Sequence, residues 1–302
     1  HYRFLLNVKK YSKIAAKDVE NNNLLDETLG EYLIRNDFPT EIIQKFIIPM
    51  GAAVWSGSRK DIVDFPAKMF LQFFNNHGIL DLNNAPQWHT VVGGSCTYVK
   101  EILDTFNGTV IKGNGVTELK RKNNLVNVKL ENGENLVFDK VVCASHADQS
   151  YRMIKDITKE EEAVLKPWEY SKNTTILHTN QSFMPPSKSA WACWNYIKNI
   201  DSVDGDDVSV TYYMNRLQGL DVSKDYMVTL NPVREIPKED IIFETVYTHP
   251  KYTHDSISTQ EKIKEVNGSN GLYFCGSYCR YGFHEDGVIS AVDVAKELGC
   301  EL

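Results

Sequence analysis

The chain contains no G-x-G-x-x-G, no C-x-x-C, no H-E-x-x-H, no G-x-S-x-G and no G-x-x-x-x-G-K-[ST]. These absences remove the glycine cradle of a dinucleotide fold, a thioredoxin-type dithiol, a zincin, an α/β-hydrolase and a P-loop nucleotidase. Apolar runs are also short. Phe46-Ile47-Ile48 is typical, and a membrane-crossing helix needs roughly 20 apolar residues. An excess of positive charge is missing as well: 33 Lys and Arg stand against 40 Asp and Glu, a formal charge of −7, which argues against a general nucleic-acid binder. A few exposed aromatics leave a peripheral membrane contact open. The six cysteines, at 96, 143, 193, 275, 279 and 300, lack metal-ligand spacing, and Cys143 and Cys275 sit in apolar strand patterns. Buried, reduced thiols are expected, in a reducing, cytoplasmic setting.

What is present is an ordinary globular composition, 42% hydrophobic and 24% charged over 302 residues, enough for one large or two medium domains. The first 88 residues read as helical. Thr28 to Arg35 and Glu41 to Ile48 carry apolar residues at helical spacing, with Thr40 as N-cap and Pro49 as terminator. Lys60 to Asn75 is a third amphipathic segment, interrupted at Pro66, and the character changes around Pro86. After Gly93-Gly94-Ser95 a helix carries Tyr98, Val99, Ile102, Leu103 and Phe106 on one side. Three short strands follow, Gly115–Lys120, Leu125–Leu130 and Leu136–Phe138, turned at Asn123-Asn124 and Asn132-Gly133. The uninterrupted run Lys140–Ala144 suits a strand of a parallel sheet buried on both faces. A charged helix over 159–166 ends before Pro167, and Asp204–Asp207 is a short acidic loop. Strand-like runs at Thr175–His178, Ala190–Tyr196, Val208–Met214 and Met227–Leu230 predict a second, mostly antiparallel sheet. The expected fold class is therefore α/β, in its α+β form. Its segments are 1–88 (helical), 89–150, 151–267 (sheet) and 268–302.

The last thirty residues are the most informative. Gly271 to Leu302 predict a short buried strand, a turn at Gly276-Ser277, and an aromatic loop from Tyr278 to His284. An acidic pair, Glu285-Asp286, then precedes a helix opening at Asp286-Gly287. Val288, Ile289, Ala291, Val292, Ala295 and Leu298 lie at helical spacing, and Gly299 follows as a C′ residue. A capped βα unit is an ordinary structural element. Here, though, glycine ends the strand where a ligand approaches the backbone in α/β folds, and the loop is crowded with aromatics. Gly287 is expected to leave the first helical N–H groups uncovered for an anion or a carbonyl edge.

The order aromatic-x-G-S (Phe274–Ser277), loop, E-x-G-x-x-S-A (Glu285–Ala291) resembles the C-terminal flavin signature of the flavin-containing amine oxidase superfamily. Earlier segments are similar to one branch of it, the NAD/FAD-binding oxidoreductases found near cyclopropane-fatty-acid synthases. They are PMGAAVWSGS, FPAKMFLQFFNNHGIL, PQWHTVVGGSCTYV, VVCASHADQ, WACWNY, YYMNRLQGL and VTLNP. The resemblance runs in order over nearly the whole chain and implies the two-domain FAD/NAD(P)-binding fold of the amine oxidase type. That family opens with a βαβ unit carrying G-x-G-x-x-G. This sequence begins inside the helical region, with His1 and not Met, which reads as a chain missing its first Rossmann unit.

The resemblance implies FAD as cofactor and assigns roles. Val116 would meet the adenine through its backbone. Gly276 and Ser277 would lie along the ribityl and pyrophosphate, Ser277 standing where many relatives have Glu. Gly287 and Val288 would offer N–H groups to the flavin edge. Glu285, Asp286, Tyr281 and His284 would border the ring, with His284 able to move a proton and Tyr281 packing near it. A loop His holding a carbonyl is an equal reading of His284. Trp191, Trp194, Asn195, Tyr212 and Met214 are expected on strands forming a substrate floor, with His77 also facing the cavity. Core packing for the former and a turn role for His77 are the alternatives. The lysine that amine oxidases place near the flavin has no clear counterpart, Lys172 being the nearest in sequence.

The expected function is a FAD-dependent oxidoreductase that takes hydride from an apolar, lipid-like or amine substrate. The electron acceptor is not specified, no metal is called for, and desaturation or isomerisation stand beside amine oxidation. Its rivals are a non-catalytic binding protein on the same fold, as in the GDP-dissociation inhibitors, and a truncated chain unable to hold FAD.

Overall fold

The computed structural model describes residues 2–81, 87, 89–198 and 208–300; the Pro86 transition and the acidic loop Asp204–Asp207 lie outside the described residues. The helices are, in chain order, α1 (Tyr2–Glu20), α2 (Leu29–Arg35), α3 (Thr40–Ile42), α4 (Ile48–Trp55), α5 (Arg59–Val63), α6 (Ala67–Asn76), α7 (Cys96–Thr105), α8 (Ala147–Met153), α9 (Lys159–Leu165), α10 (Met214–Leu217), α11 (His254–Ile257), α12 (Gln260–Val266) and α13 (His284–Glu297). The strands are β1 (Val116–Lys122), β2 (Leu125–Leu130), β3 (Asn135–Phe138), β4 (Val141–Cys143), β5 (Tyr170–His178), β6 (Trp194–Lys198), β7 (Val208–Tyr213), β8 (Met227–Leu230), β9 (Ile241–Pro250) and β10 (Leu272–Phe274). The mixture of helix and sheet agrees with the α/β class. Among the described residues no helix is long and apolar enough to cross a membrane.

Two compact units result, one of residues 1–107 and 171–249, the other of 108–170 and 250–302. The breaks fall at 107, 170 and 249, where sequence character placed them at 88, 150 and 267. Packing moves them: α8 lies against β1 and α9 against α12, so the segments around β4 and β10 carry their flanking helices with them.

In the first unit, α2 starts where Thr28 and Glu31 close a capping box: the Glu31 N–H donates to Thr28 Oγ1 at 3.2 Å, and the Thr28 N–H donates to Glu31 Oε2 at 2.8 Å. The segment after it departs from expectation twice. Pro39, not Thr40, holds the N-cap position of α3. Pro49 does not end the helix. A π turn over Ile43–Ile47 widens the coil, and Pro49 enters the first turn of α4, where its missing N–H is not needed. The core of this layer is aromatic. Trp55 lies 4.5 Å from Phe65, 5.3 Å from Phe70 and 4.9 Å from Phe73 between ring centroids.

The sheet of this unit has strand order β6-β7-β8-β5-β9, and β6/β7, β7/β8 and β5/β8 pair antiparallel. Register places Asn195 opposite Thr211 and Thr211 opposite Thr229. Those side chains share one face with His178, and all four are buried. His178 Nε2 lies 2.7 Å from Thr229 Oγ1, and that oxygen lies 2.8 Å from Thr211 Oγ1. The Asn180 N–H donates to His178 Nδ1 at 3.1 Å, so the ring proton sits on Nε2 and is given to Thr229. Burial lowers the His178 pKa to about 4, which keeps the ring neutral.

The second unit holds the β1-β2-β3 meander and the parallel pair β4/β10. Asn123 and Asn124 both take left-handed backbone angles, φ 55° and 61°, as a two-residue hairpin turn of the primed kind requires. Arg121 on β1 grips Glu161 of α9 through both terminal nitrogens, at 2.6 and 2.9 Å. Glu161 is fully buried, and it also accepts the Thr158 N–H at 2.9 Å to cap its own helix.

Candidate cofactor site

The C-terminal strand–turn–helix lies entirely in the second unit. β10 pairs with β4 in parallel register, Phe274 opposite Cys143, and the Cys275 N–H continues the ladder to the Cys143 carbonyl at 3.2 Å. Gly276 then leaves the strand at φ 157°, and a Cβ built there would stand 2.7 Å from the Tyr278 ring. Any side chain there would have to push the buried Tyr278 ring aside. Ser277–Cys279 form a single 3₁₀ turn, and the Ser277 carbonyl accepts the N–H groups of Arg280 and Gly282, each at 3.1 Å. From outside, the Gln260 side chain donates to the Tyr278 carbonyl at 2.9 Å and to the Arg280 carbonyl at 2.6 Å, pinning the turn. Tyr278 packs edge-on against Trp168 at 5.4 Å, as does Tyr252 at 5.6 Å. Burial pushes the Tyr278 and Tyr252 phenols well above their ordinary pKa, so both stay neutral.

The helix begins two residues earlier than the sequence suggests. Asp286 accounts for this: its carboxylate turns back and accepts the Phe283 N–H at 3.0 Å, which fixes Phe283 as the N-cap. The same carboxylate lies 3.3 Å from Arg280 Nε. Asp286 is therefore a buried capping and pairing residue and not a free ligand. The shift also corrects which N–H groups are open. The Gly287 N–H donates to the Phe283 carbonyl at 3.1 Å, so Gly287 and Val288 already belong to the helical ladder. The N–H groups of Glu285 and Asp286 have no hydrogen-bond partner among the described residues, and neither does that of Ser277. A Cβ built on Gly287 would meet only the Ser277 nitrogen, at 3.8 Å, so open donors from the strand end and the helix start lie together.

Ser290 binds the two halves. It accepts the Gly276 N–H at 2.9 Å and lies 2.8 Å from the Gly287 carbonyl and 3.2 Å from that of Gly276. It is the serine of the E-x-G-x-x-S spacing, and the spacing alone does not say that its hydroxyl straps the turn to the helix. Tyr281 is half-buried, and burial raises its pKa; His284 is exposed at the first helical position; Glu285 and the Val288 side chain are exposed.

Val116 starts β1 beside a register shift between Val116 and Glu118, and it is 39% exposed. It lines a cavity of about 730 Å³ together with Thr117, Val142, Ser145 and Arg152. The Ser145 carbonyl stands 3.7 Å from the Cβ position of Gly276, so this cavity opens beside the carboxyl ends of β4 and β10. Ligands of open α/β sheets bind at such strand ends.

The expected substrate residues are not brought to one surface. Trp191 precedes β6 and is buried, its Nε1 donating to the Pro185 carbonyl at 2.7 Å. Asn195 is buried on the face of the Thr211–Thr229 ladder and donates to the Ala192 carbonyl at 2.7 Å. Met214 opens α10 and does not extend a strand. Trp194 and Tyr212 are register partners on the opposite face, edge-to-face at 6.2 Å and half-exposed, with the Tyr212 hydroxyl donating to the Ala53 carbonyl at 3.3 Å. His77 follows α6, its Nδ1 2.8 Å from the Phe73 carbonyl and its ring stacked on Phe73 at 3.9 Å, as a turn residue would be. All six cysteines are free, and burial pushes the Cys143 and Cys279 thiols up to about 12, which leaves them unreactive. Among the described residues no group of metal-ligating side chains is assembled.

No protein-family model matches the chain, and no curated relative matches it in sequence. Solved structures do resemble it. A CLA-producing fatty acid isomerase from P. acnes superposes with a TM-score of 0.64 at 13% identity, over 91% of this chain and 67% of that one. A reduced UDP-galactopyranose mutase gives 0.60 at 16%, over 95% and 72%. Putrescine oxidase bound to putrescine gives 0.66 at 8%, over 99% and 76%. Identities this low carry the fold alone, the amine-oxidase-type fold that these solved structures share.

Proposed function

We propose that this chain, built on the amine-oxidase-type fold, is a FAD-dependent oxidoreductase acting on an apolar, lipid-like or amine substrate. One observation carries the reading: the N–H groups of Ser277, Glu285 and Asp286 lie at a strand end and a helix start with no hydrogen-bond partner among the described residues. Orphan donors in such a place match an anionic or carbonyl edge. The residues present fit FAD on this ground, since Gly287 leaves the space beside the Ser277 nitrogen free of any Cβ.

When bound, FAD supplies a hydride acceptor. The Ser277 N–H and the first N–H groups of α13 would hold its electron-rich oxygens, and the dipole of this 14-residue helix adds positive potential there. Arg280 neutralises Asp286, so that carboxylate does not oppose the dipole. Val116 would meet the adenine at the mouth of the 730 Å³ cavity. His284, exposed at the helix start, is the candidate side chain to border the ring there. Trp194 and Tyr212 supply an apolar, aromatic surface. A fatty acid isomerase and a putrescine oxidase among the structural neighbours support the two substrate classes.

The test is a visible absorption spectrum of the full-length protein, as purified and after incubation with FAD. Flavin bands that bleach with dithionite are expected. A colourless protein that FAD does not reconstitute overturns the reading. Anaerobic bleaching by unsaturated fatty acids against primary amines then separates the substrate classes.

A further inference from the structure

The first helix segregates charge in a way the acidic chain as a whole does not. Residues 1–17 hold Arg3, Lys9, Lys10, Lys13 and Lys17 and none of the 40 acidic residues. Within α1 the buried residues Val8, Tyr11, Ser12 and Ala15 form one face. Tyr2, Leu6, Lys9, Lys13 and Lys17 follow one another at spacings of three and four, and Leu5 and Lys10 flank that line, so they share the opposite face. All seven are exposed: Tyr2 is 76%, Leu5 53% and Leu6 50% accessible. None of the four lysines makes an ion pair or a hydrogen bond among the described residues. The first carboxylate along the chain, Asp18, is occupied by the Tyr32 hydroxyl at 2.9 Å.

We propose that this face of α1 docks the protein on an anionic lipid surface. The charge is complementary to a membrane carrying acidic headgroups, and it is concentrated on one ridge of a protein whose formal charge is −7. The apolar residues decide between a bilayer and a nucleic acid. Tyr2, Leu5 and Leu6 form a wedge at one end of the lysine ridge; a bilayer takes up an apolar wedge, while a phosphate backbone does not. The lysine stems can lie along the acyl boundary while their ammonium groups reach the headgroups. Because Val8, Tyr11 and Ala15 hold the helix to the body, docking needs no unfolding.

Flotation of the full chain with phosphatidylserine-containing vesicles and with pure phosphatidylcholine vesicles tests this. Binding is expected to the first and not the second, and to weaken as salt screens the ridge. The variant K9E/K10E/K13E/K17E is expected to lose at least about tenfold in affinity for the anionic vesicles. L5S/L6S should also lose affinity, and Tyr2→Trp should blue-shift its fluorescence on the vesicles. Each position is exposed, so circular dichroism and the thermal midpoint should stay at wild-type values, which separates lost docking from lost fold. Equal binding to both vesicle types overturns the proposal. So does a charge-reversed variant that binds like wild type, or tighter binding to duplex DNA than to anionic vesicles.

Discussion

The C-terminal turn and the five-stranded sheet both bury polar groups, and they do it in opposite ways. In the sheet, His178, Thr229, Thr211 and Asn195 close a chain in which each neighbour answers the next. At the turn, Ser290, Gln260 and Asp286 satisfy the groups around Gly276 and Phe283, and the N–H groups of Ser277, Glu285 and Asp286 are left over. A closed network specifies a core. An open one, held in place by closed neighbours, is where a ligand belongs. Asn195 shows the value of the distinction: it looked like a substrate residue in the sequence, and its bonds place it in the closed set.

The largest effect concerns pH. The folded His178 has its pKa lowered to about 4, below the ordinary value of about 6.5, so it binds fewer protons than the unfolded chain between those values. Its contribution to stability is full above about pH 6.5 and is lost as the pH falls toward 4, on the order of 3 kcal/mol in all. Denaturant midpoints measured across that range should slope downward, and His178→Gln should flatten the slope. An unchanged slope would mean the ladder is not closed as described. Thr229→Val comes next. It keeps shape, removes the hydroxyl between His178 and Thr211, and should cost roughly 1–3 kcal/mol while leaving FAD affinity alone.

The turn should respond the other way round. Gly287→Val meets only the Ser277 nitrogen in its surroundings, so the fold should lose no more than about 1 kcal/mol. FAD occupancy, read by absorbance, should drop about tenfold or more, equivalent to roughly 1.4 kcal/mol of binding. Unchanged occupancy would move the cofactor elsewhere. Ser290→Ala should cost about 1 kcal/mol of fold stability and leave FAD occupancy nearly unchanged, the smallest combined effect, because the helix and strand remain packed when the strap is cut. A loss of both fold and cofactor there would show that the turn is not independently held.

Most strands were legible in the sequence. Asn123-Asn124 and Asn132-Gly133 carry their own turn chemistry, and Val141-Val142-Cys143 is the expected strand, though it is not buried on both faces: only Cys143 is buried and Val142 is exposed. Where two local signals compete, the reading shifted. Asp286 resembled the residue before a helix, but its carboxylate finds the Phe283 N–H and becomes the third residue within it. Pro49 is a helix breaker in isolation, and a π turn next to it supplies the geometry that lets the helix resume. Trp191 and Trp194 were treated alike because composition is blind to where a strand begins, and three residues separate a buried loop from an exposed sheet face.

The sequence by itself determined the alternation of helix and strand and the glycine that ends β10. These depend on backbone propensity and local turn chemistry, which neighbours in the chain dictate. Only the tertiary structure decided which amides remain open at the helix start and which aromatic residues share a face. It also decided that the lysines of α1 stand unpaired on one ridge. Those outcomes depend on hydrogen bonds and burial between groups far apart in the chain, as with Gln260 and Tyr278 or Asn195 and Thr211, and no local pattern encodes them.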